Sequence, residues 1–318
     1  MKNTPSLLRA IVENVEQVIV GKREAAEMLL LALLCEGHVL IEDVPGVGKT
    51  SLVSAMARSV DCSFKRIQFT PDILPSDITG FSMYDQRTGE FVYKAGLVMS
   101  SFVLADEINR TSPKTQASLL EVMEEHQVTV DGVTYPVGPP FMVMATQNPV
   151  EYVGTYPLPE AQMDRFFMRV SLGYPTAAEE EDILRRFRKD DPMGALIPVA
   201  SGADIAAVQQ LVRLVYVEES LHSYMVEVVR RTREHPDVAL GASPRGSLAL
   251  FRGAQALALY EGRDFVLPDD VKRMAPAVLP HRLILRKDAL LRHQTDEKIV
   301  REILERTALP IPEVSKSL

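Results

Sequence analysis

The chain has 318 residues, 46% hydrophobic and 25% charged, with a formal net charge of −8 and a sequence pI near 5.4. That is the composition of an ordinary folded protein with ample material for a core, and its length predicts two domains at roughly 100–200 residues each. The acidic balance argues against a general binder of phosphate backbones, and the two cysteines, Cys35 and Cys62, have no CxxC spacing and predict free thiols in a reducing compartment.

In chain order, Leu7, Leu8, Ile11 and Val15 recur at helical spacing over 5–18, and 21–37 reads as a second helix with Gly37 as its C-terminal cap. The apolar run within it, 28–35, is far short of the ~20 residues a membrane span needs. With no signal core in the first twenty residues, a cytoplasmic protein without membrane insertion is expected. "HVLIE" is a short buried strand. A loop at 43–48 follows, and Lys49 opens a helix reaching about Val60. Strands are expected at 64–69, 101–106, 141–148 and 166–172, with a helix at 113–126 begun by Pro113. Apolar strands alternating with helices predict a parallel sheet covered on both faces.

Two hairpins interrupt that alternation. Residues 80–96 form two arms about a polar turn ending in Gly89, and 127–137 turn at Asp131-Gly132. Neither is needed for a sheet-and-helix core, so each is expected to project toward a partner. After Tyr174-Pro175 the patterns are helical without a strand cluster. The predicted division is an α/β domain over 1–175 and an α-helical domain over 176–318.

"DVPGVGKT", residues 43–50, carries most of the chemistry. A phosphate cradle needs inward-facing backbone N–H groups, a helix N-terminus, a lysine and a hydroxyl for magnesium. Gly48, Lys49 and Thr50 match G-x-x-x-x-G-K-[ST], and Gly46 adds freedom, but Asp43 stands where the first glycine belongs. Aspartate can hold a bend through its side chain or a left-handed backbone, and its carboxylate is expected to point away from the phosphates. "FVLADEINR" ends an apolar strand in Asp106-Glu107. Asp106 with Thr50 suits a hydrated magnesium ion, and Glu107 suits polarising a water. In "MATQNP" Asn148 lies at a strand's C-terminal end, where it can orient that water. There is no HExxH, no dense His/Cys cluster and no G-x-S-x-G elbow.

These pieces, in this order, resemble the AAA+ ATPases, and "EDVPGVGKT", "ADEINR", "ATQNP", "LPEAQMDRF" and "GASPRG" resemble the MoxR family in particular. The resemblance spans nearly the whole chain, and the hairpins resemble the helix-2 and pre-sensor-1 inserts of the AAA+ branch that includes magnesium-chelatase and MCM-type motors. It implies an AAA+ P-loop core with a helical lid, and ATP bound with Mg2+ by Pro45, Gly46, Val47, Gly48, Lys49, Thr50 and Ser51. In "IVGK", Val20 and Gly21 would lie on the adenine side. Arg165 would be an arginine finger reaching a neighbouring subunit. Arg245, set at a helix start by the Ser243 cap and Pro244, would contact the γ-phosphate of its own subunit as sensor 2. Arg110 would face the neighbour. The implied protein is a ring, expected to be a hexamer, that remodels or matures a client. The client is expected to be a separate protein with a von Willebrand factor A domain.

Two other readings stand beside this one. A nucleotide-gated assembly module with little turnover is motivated by Asp43 and opposed by Glu107, Asn148 and Arg165. A DNA-translocating motor is motivated by the inserts and opposed by the acidic charge. The hairpin at 127–137 has no lysine or arginine, and the one at 80–96 has only Arg87 and Lys94, so no nucleic-acid partner is expected.

Overall fold

The computed structural model describes residues 3–147, 155–186 and 192–309. Two helices precede the first strand, α1 (Thr4–Glu16) and α2 (Arg23–Leu34). From Ala25 to Leu34 every residue of α2 is buried, as a helix apolar on all sides requires. The cap of α2 differs from expectation. Glu36, not Gly37, takes the left-handed backbone (φ 55°), while the Gly37 N–H closes the turn onto the Ala32 carbonyl (2.9 Å). Gly37 is small for a packing reason, since a Cβ there would stand 2.5 Å from the Phe167 side chain.

The next elements are β1 (Val39–Glu42), α3 (Lys49–Ser59), β2 (Phe64–Gln68), α4 (Pro75–Thr79), β3 (Gly80–Asp85), β4 (Glu90–Ala95), β5 (Phe102–Asp106), α5 (Pro113–Glu125), β6 (Gln127–Val130), β7 (Val133–Pro136), β8 (Met142–Gln147), α6 (Glu160–Met163) and β9 (Met168–Val170). Five strands form a parallel sheet in the order β2-β5-β8-β1-β9. The period of two along each strand sends alternate side chains to opposite faces. Val39, Ile41, Phe102, Leu104, Met142 and Met144 join one buried cluster, and Leu40, Val103, Ala105, Val143 and Ala145 join the other. Both faces are therefore covered, as near-continuous apolar strands demand.

The hairpins β3–β4 and β6–β7 pair only within themselves and do not extend the central sheet. Asp131 (φ 51°) and Gly132 (φ 78°) form the tight turn of the second. The two hairpins meet through stacked Tyr93 and Tyr135, 3.9 Å between ring centres.

Beyond Pro175 come α7 (Ala177–Arg186), α8 (Pro192–Ala195), α9 (Gly202–Val212), α10 (Glu219–Glu234), β10 (Val238–Leu240), α11 (Pro244–Tyr260), α12 (Pro268–Val278), β11 (Ile284–Leu285), α13 (Lys287–Leu291) and α14 (Asp296–Arg306). This region is helical apart from the antiparallel pair β10–β11, which the expectation of an all-helical lid missed. Strands of three and two residues are too short to show alternation. α11 packs against α1 and α2, and one apolar cluster runs from those helices into α9 through α12. Among the described residues, no helix is long and apolar enough to cross a membrane.

Candidate nucleotide-binding site

The loop after β1 is shaped by two glycines. Gly46 (φ 88°) and Gly48 (φ 92°) are left-handed, and a Cβ on either would meet no atom within 4 Å. Glycine is needed there for backbone conformation, not for space. Gly48 is the N-cap of α3, so the loop's N–H groups and the positive end of the helix converge. Lys49 folds back so that Nζ donates to the Asp43 carbonyl (3.0 Å).

Asp43 is buried, and its carboxylate does turn away from the loop. It accepts from the Ser171 hydroxyl (2.9 Å) and from the backbone N–H groups of Leu172 (2.5 Å) and Gly173 (3.1 Å). Its φ is not among the positive ones. The bend is therefore held by the side chain, which stitches the end of β1 to the segment after β9. Beside it, burial pushes the Glu42 carboxyl up, opposed by Arg169, whose guanidinium bonds Glu42 (3.2 Å) and Asp296 (2.9 Å).

At the C-terminal ends of β2, β5 and β8 a network fixes the two acids. The Thr146 hydroxyl donates to Asp106 Oδ1 (2.6 Å) and accepts the Glu107 N–H (2.8 Å). Glu107 is left-handed (φ 57°), which turns its side chain out of the strand direction. Its Oε2 accepts from Gln68 Nε2 (2.9 Å) and Arg110 Nη1 (3.0 Å). Arg66 Nε donates to Asp106 Oδ2 (3.1 Å). Pro45, Gly46, Gly48, Lys49, Thr50, Ser51, Asp106 and Glu107 thus line one cleft of about 350 Å3, together with Arg66, Gln68 and Thr146. The last three were not anticipated, since no local motif marks them and only the strand order brings them in. A hydroxyl, a carboxylate and room for phosphate oxygens suit a magnesium ion. That Asp106 now binds a guanidinium shows that the position already favours a cation.

A smaller apolar pocket of about 180 Å3 adjoins the loop, lined by Val18, Ile19, Val20, Val47, Pro175 and Ile183 among others. It suits a flat heterocycle. Val20, expected on the adenine side, lines it, and so does Val47 of the loop. Gly21 does not: its left-handed backbone (φ 70°) packs against Glu179 instead. Asn148 lies outside the described residues, immediately after β8.

The two remaining arginines are elsewhere. Arg165 bonds Glu124 Oε2 (3.0 Å), and Arg245 bonds Glu124 Oε1. They border a cleft of about 280 Å3 lined also by Gly37, His38 and Phe167, which precede β1 and β9. This is the edge where parallel strands begin, opposite to the edge carrying the loop. Ser243 and Pro244 do start α11 as expected, the Ser243 oxygen accepting the Arg245 N–H (3.0 Å). But α11 is seated on α1 and α2, which puts its first turn at the far edge. The expectation that Arg245 reaches the terminal phosphate of its own subunit is corrected accordingly. Arg110, expected to face a neighbour, engages Glu107 of its own chain.

Comparison with known proteins gives the same assignment. Residues 38–168 match the ATPase family associated with various cellular activities (AAA), and residues 230–303 match the AAA lid domain. The chain is 54% identical to the uncharacterised Bacillus subtilis protein YeaC, covering 96% of this chain and 95% of that one. It is 45% identical to chaperone MoxR1 of Mycobacterium tuberculosis, covering 96% and 82%. A solved structure from Cytophaga hutchinsonii, assigned as an ATPase, superposes with a TM-score of 0.91 at 40% identity, over 96% of both chains. The chain belongs to the MoxR family of AAA+ ATPases.

Proposed function

We propose that this chain hydrolyses ATP as a ring of identical subunits, expected to be a hexamer, and uses the cycle to remodel or mature a client protein. The observation that carries this reading is the division of one machinery between two edges of the sheet. The loop, Asp106 and Glu107 lie at one edge, and Arg165 and Arg245 are displayed together at the other. Arginines so placed cannot serve their own loop, but they can serve a neighbour's. Arg245 then acts in trans beside Arg165. A guanidinium's fixed fork of donors suits the charge that develops on a phosphoryl group in transfer.

Within the loop cleft, Lys49 and the α3 N-terminus would hold the β- and γ-phosphates, and the apolar pocket beside Val20 would take the adenine. Thr50 and Asp106 would hold magnesium, which when bound would supply positive charge against the negative charge that develops on the phosphates. A cation there would take the place of Arg66 on Asp106. Glu107 would polarise the attacking water, exchanging a bond to Gln68 or Arg110 to do so, and Asn148 would orient that water. The β3–β4 hairpin presents exposed Phe81, Tyr84 and Phe91 for client contact. A client protein with a von Willebrand factor A domain follows from the family resemblance alone.

Glu107→Gln tests the reading, because it keeps size and most contacts but removes the base. ATP should still raise the melting temperature, while turnover should fall on the order of a hundredfold or more. Turnover equal to wild type would remove Glu107 from catalysis and favour a nucleotide-gated assembly module.

A further inference from the structure

We infer that Glu124 is a positioning residue that holds Arg165 and Arg245 in register as a paired grip for one anion, the terminal phosphate bound by a neighbouring subunit. This rests on the trans reading above. Glu124 lies in the last turn of α5 and is the only carboxylate that either arginine contacts among the described residues. One oxygen serves each arginine. The two arginines come from chain segments 80 positions apart in sequence, one after α6 and one opening α11, and Glu124 is the partner that their side chains share.

The backbone beneath them is fixed independently. Asp164 accepts from the Ser243 hydroxyl (2.7 Å) and from Arg282 Nε (2.9 Å), which ties the start of α11 to the segment carrying Arg165. Burial lowers the Arg282 guanidinium to about 10, against the pull of Asp164, which marks this as a structural pair. Removing Glu124 therefore leaves the segments together but frees two long side chains.

The charges around the cleft have an unmet requirement. Arg165, Arg245, Arg252 and Arg282 face it, against Glu36, Glu124 and Asp164. Asp164 is taken by Arg282 and Glu36 by Arg213 (2.8 Å). Glu124 is left as the one carboxylate for two guanidiniums, so the pair retains a surplus positive charge that a phosphate would match. Glu124 and both arginines are partly exposed, so the pairs are weak and can rearrange. A guanidinium has five N–H donors, enough to keep one edge on Glu124 and turn another to a phosphate.

The test is a double-mutant cycle on the full chain. Glu124→Gln should lower kcat on the order of tenfold or more, as misplaced catalytic groups do, with KM for ATP and the melting temperature unchanged. Added to an Arg165→Ala, Arg245→Ala chain, the same substitution should lower the residual turnover no further. Wild-type kcat in Glu124→Gln would overturn the assignment, as would an equal factor lost in the arginine-free background, which would mean a general structural role. Wild-type turnover of the Arg165→Ala, Arg245→Ala chain would overturn the trans reading and the Glu124 role together.

Discussion

Asp43 shows how a loop can lose a signature residue and keep its shape. The position needs something to hold the chain as it leaves β1, and a carboxylate with three donors around it does so through the side chain. The sequence required only that the charge avoid the phosphates. Its partners, Ser171 to Gly173, are far along the chain, and no local pattern names them. Asp43→Ala leaves two backbone N–H groups and a hydroxyl without their acceptor, so it should cost about 2–4 kcal/mol in urea unfolding. Asp43→Gly should cost a similar amount even though it restores the usual loop residue. An unchanged unfolding midpoint in both would mean that the carboxylate is dispensable for the bend.

Helices and strands with clear periods were legible, and so was the Asp131-Gly132 hairpin, because these signals are local. The β10–β11 pair, α8 and α13 were not, being too short to carry a period. The connection between elements was hidden as well. His38, just before β1, has Nε2 2.9 Å from the Met123 carbonyl and accepts the Val143 N–H at Nδ1 (3.0 Å), which fixes a neutral ring with its proton on Nε2. It thereby pins the end of α5, which carries Glu124, to the sheet. Burial first, and His126 less, draw its pKa down from 6.5 to about 4, against the bond to Met123. The unfolded chain takes up the proton near 6.5 and the folded chain resists until about 4. Its stabilisation is thus complete above pH 6.5 and is lost as pH falls toward 4, a change of roughly 3 kcal/mol. His38→Gln cannot take up that proton, so its urea unfolding free energy should fall less between pH 7 and 4.5. Parallel curves for the two proteins would contradict the buried neutral role.

At the scale of the whole molecule, the nucleotide loop and acidic pair were readable because each lies in one continuous segment. Arg66, Gln68 and Thr146 became visible only when β2 and β8 were placed beside β5. Arg245 was readable as a helix-start arginine, but its place followed from the seating of α11 on α1 and α2, which no motif encodes. That seating sets Arg245 beside Arg165, away from the loop, and under the proposed function it makes complementation the direct test. Lys49→Ala should disable a subunit's own loop and leave its arginines intact, and Arg165→Ala with Arg245→Ala should do the reverse. Each should be nearly inactive alone, since a lost arginine finger is worth about 10³–10⁵ in rate. The measurement is ATP turnover, with magnesium, of the two variants mixed at concentrations that form rings. The account predicts that the mixture regains a substantial part of wild-type turnover, because intact loops then meet intact arginines across subunit boundaries. A mixture no more active than its separate components, although mixed rings are present, would contradict it.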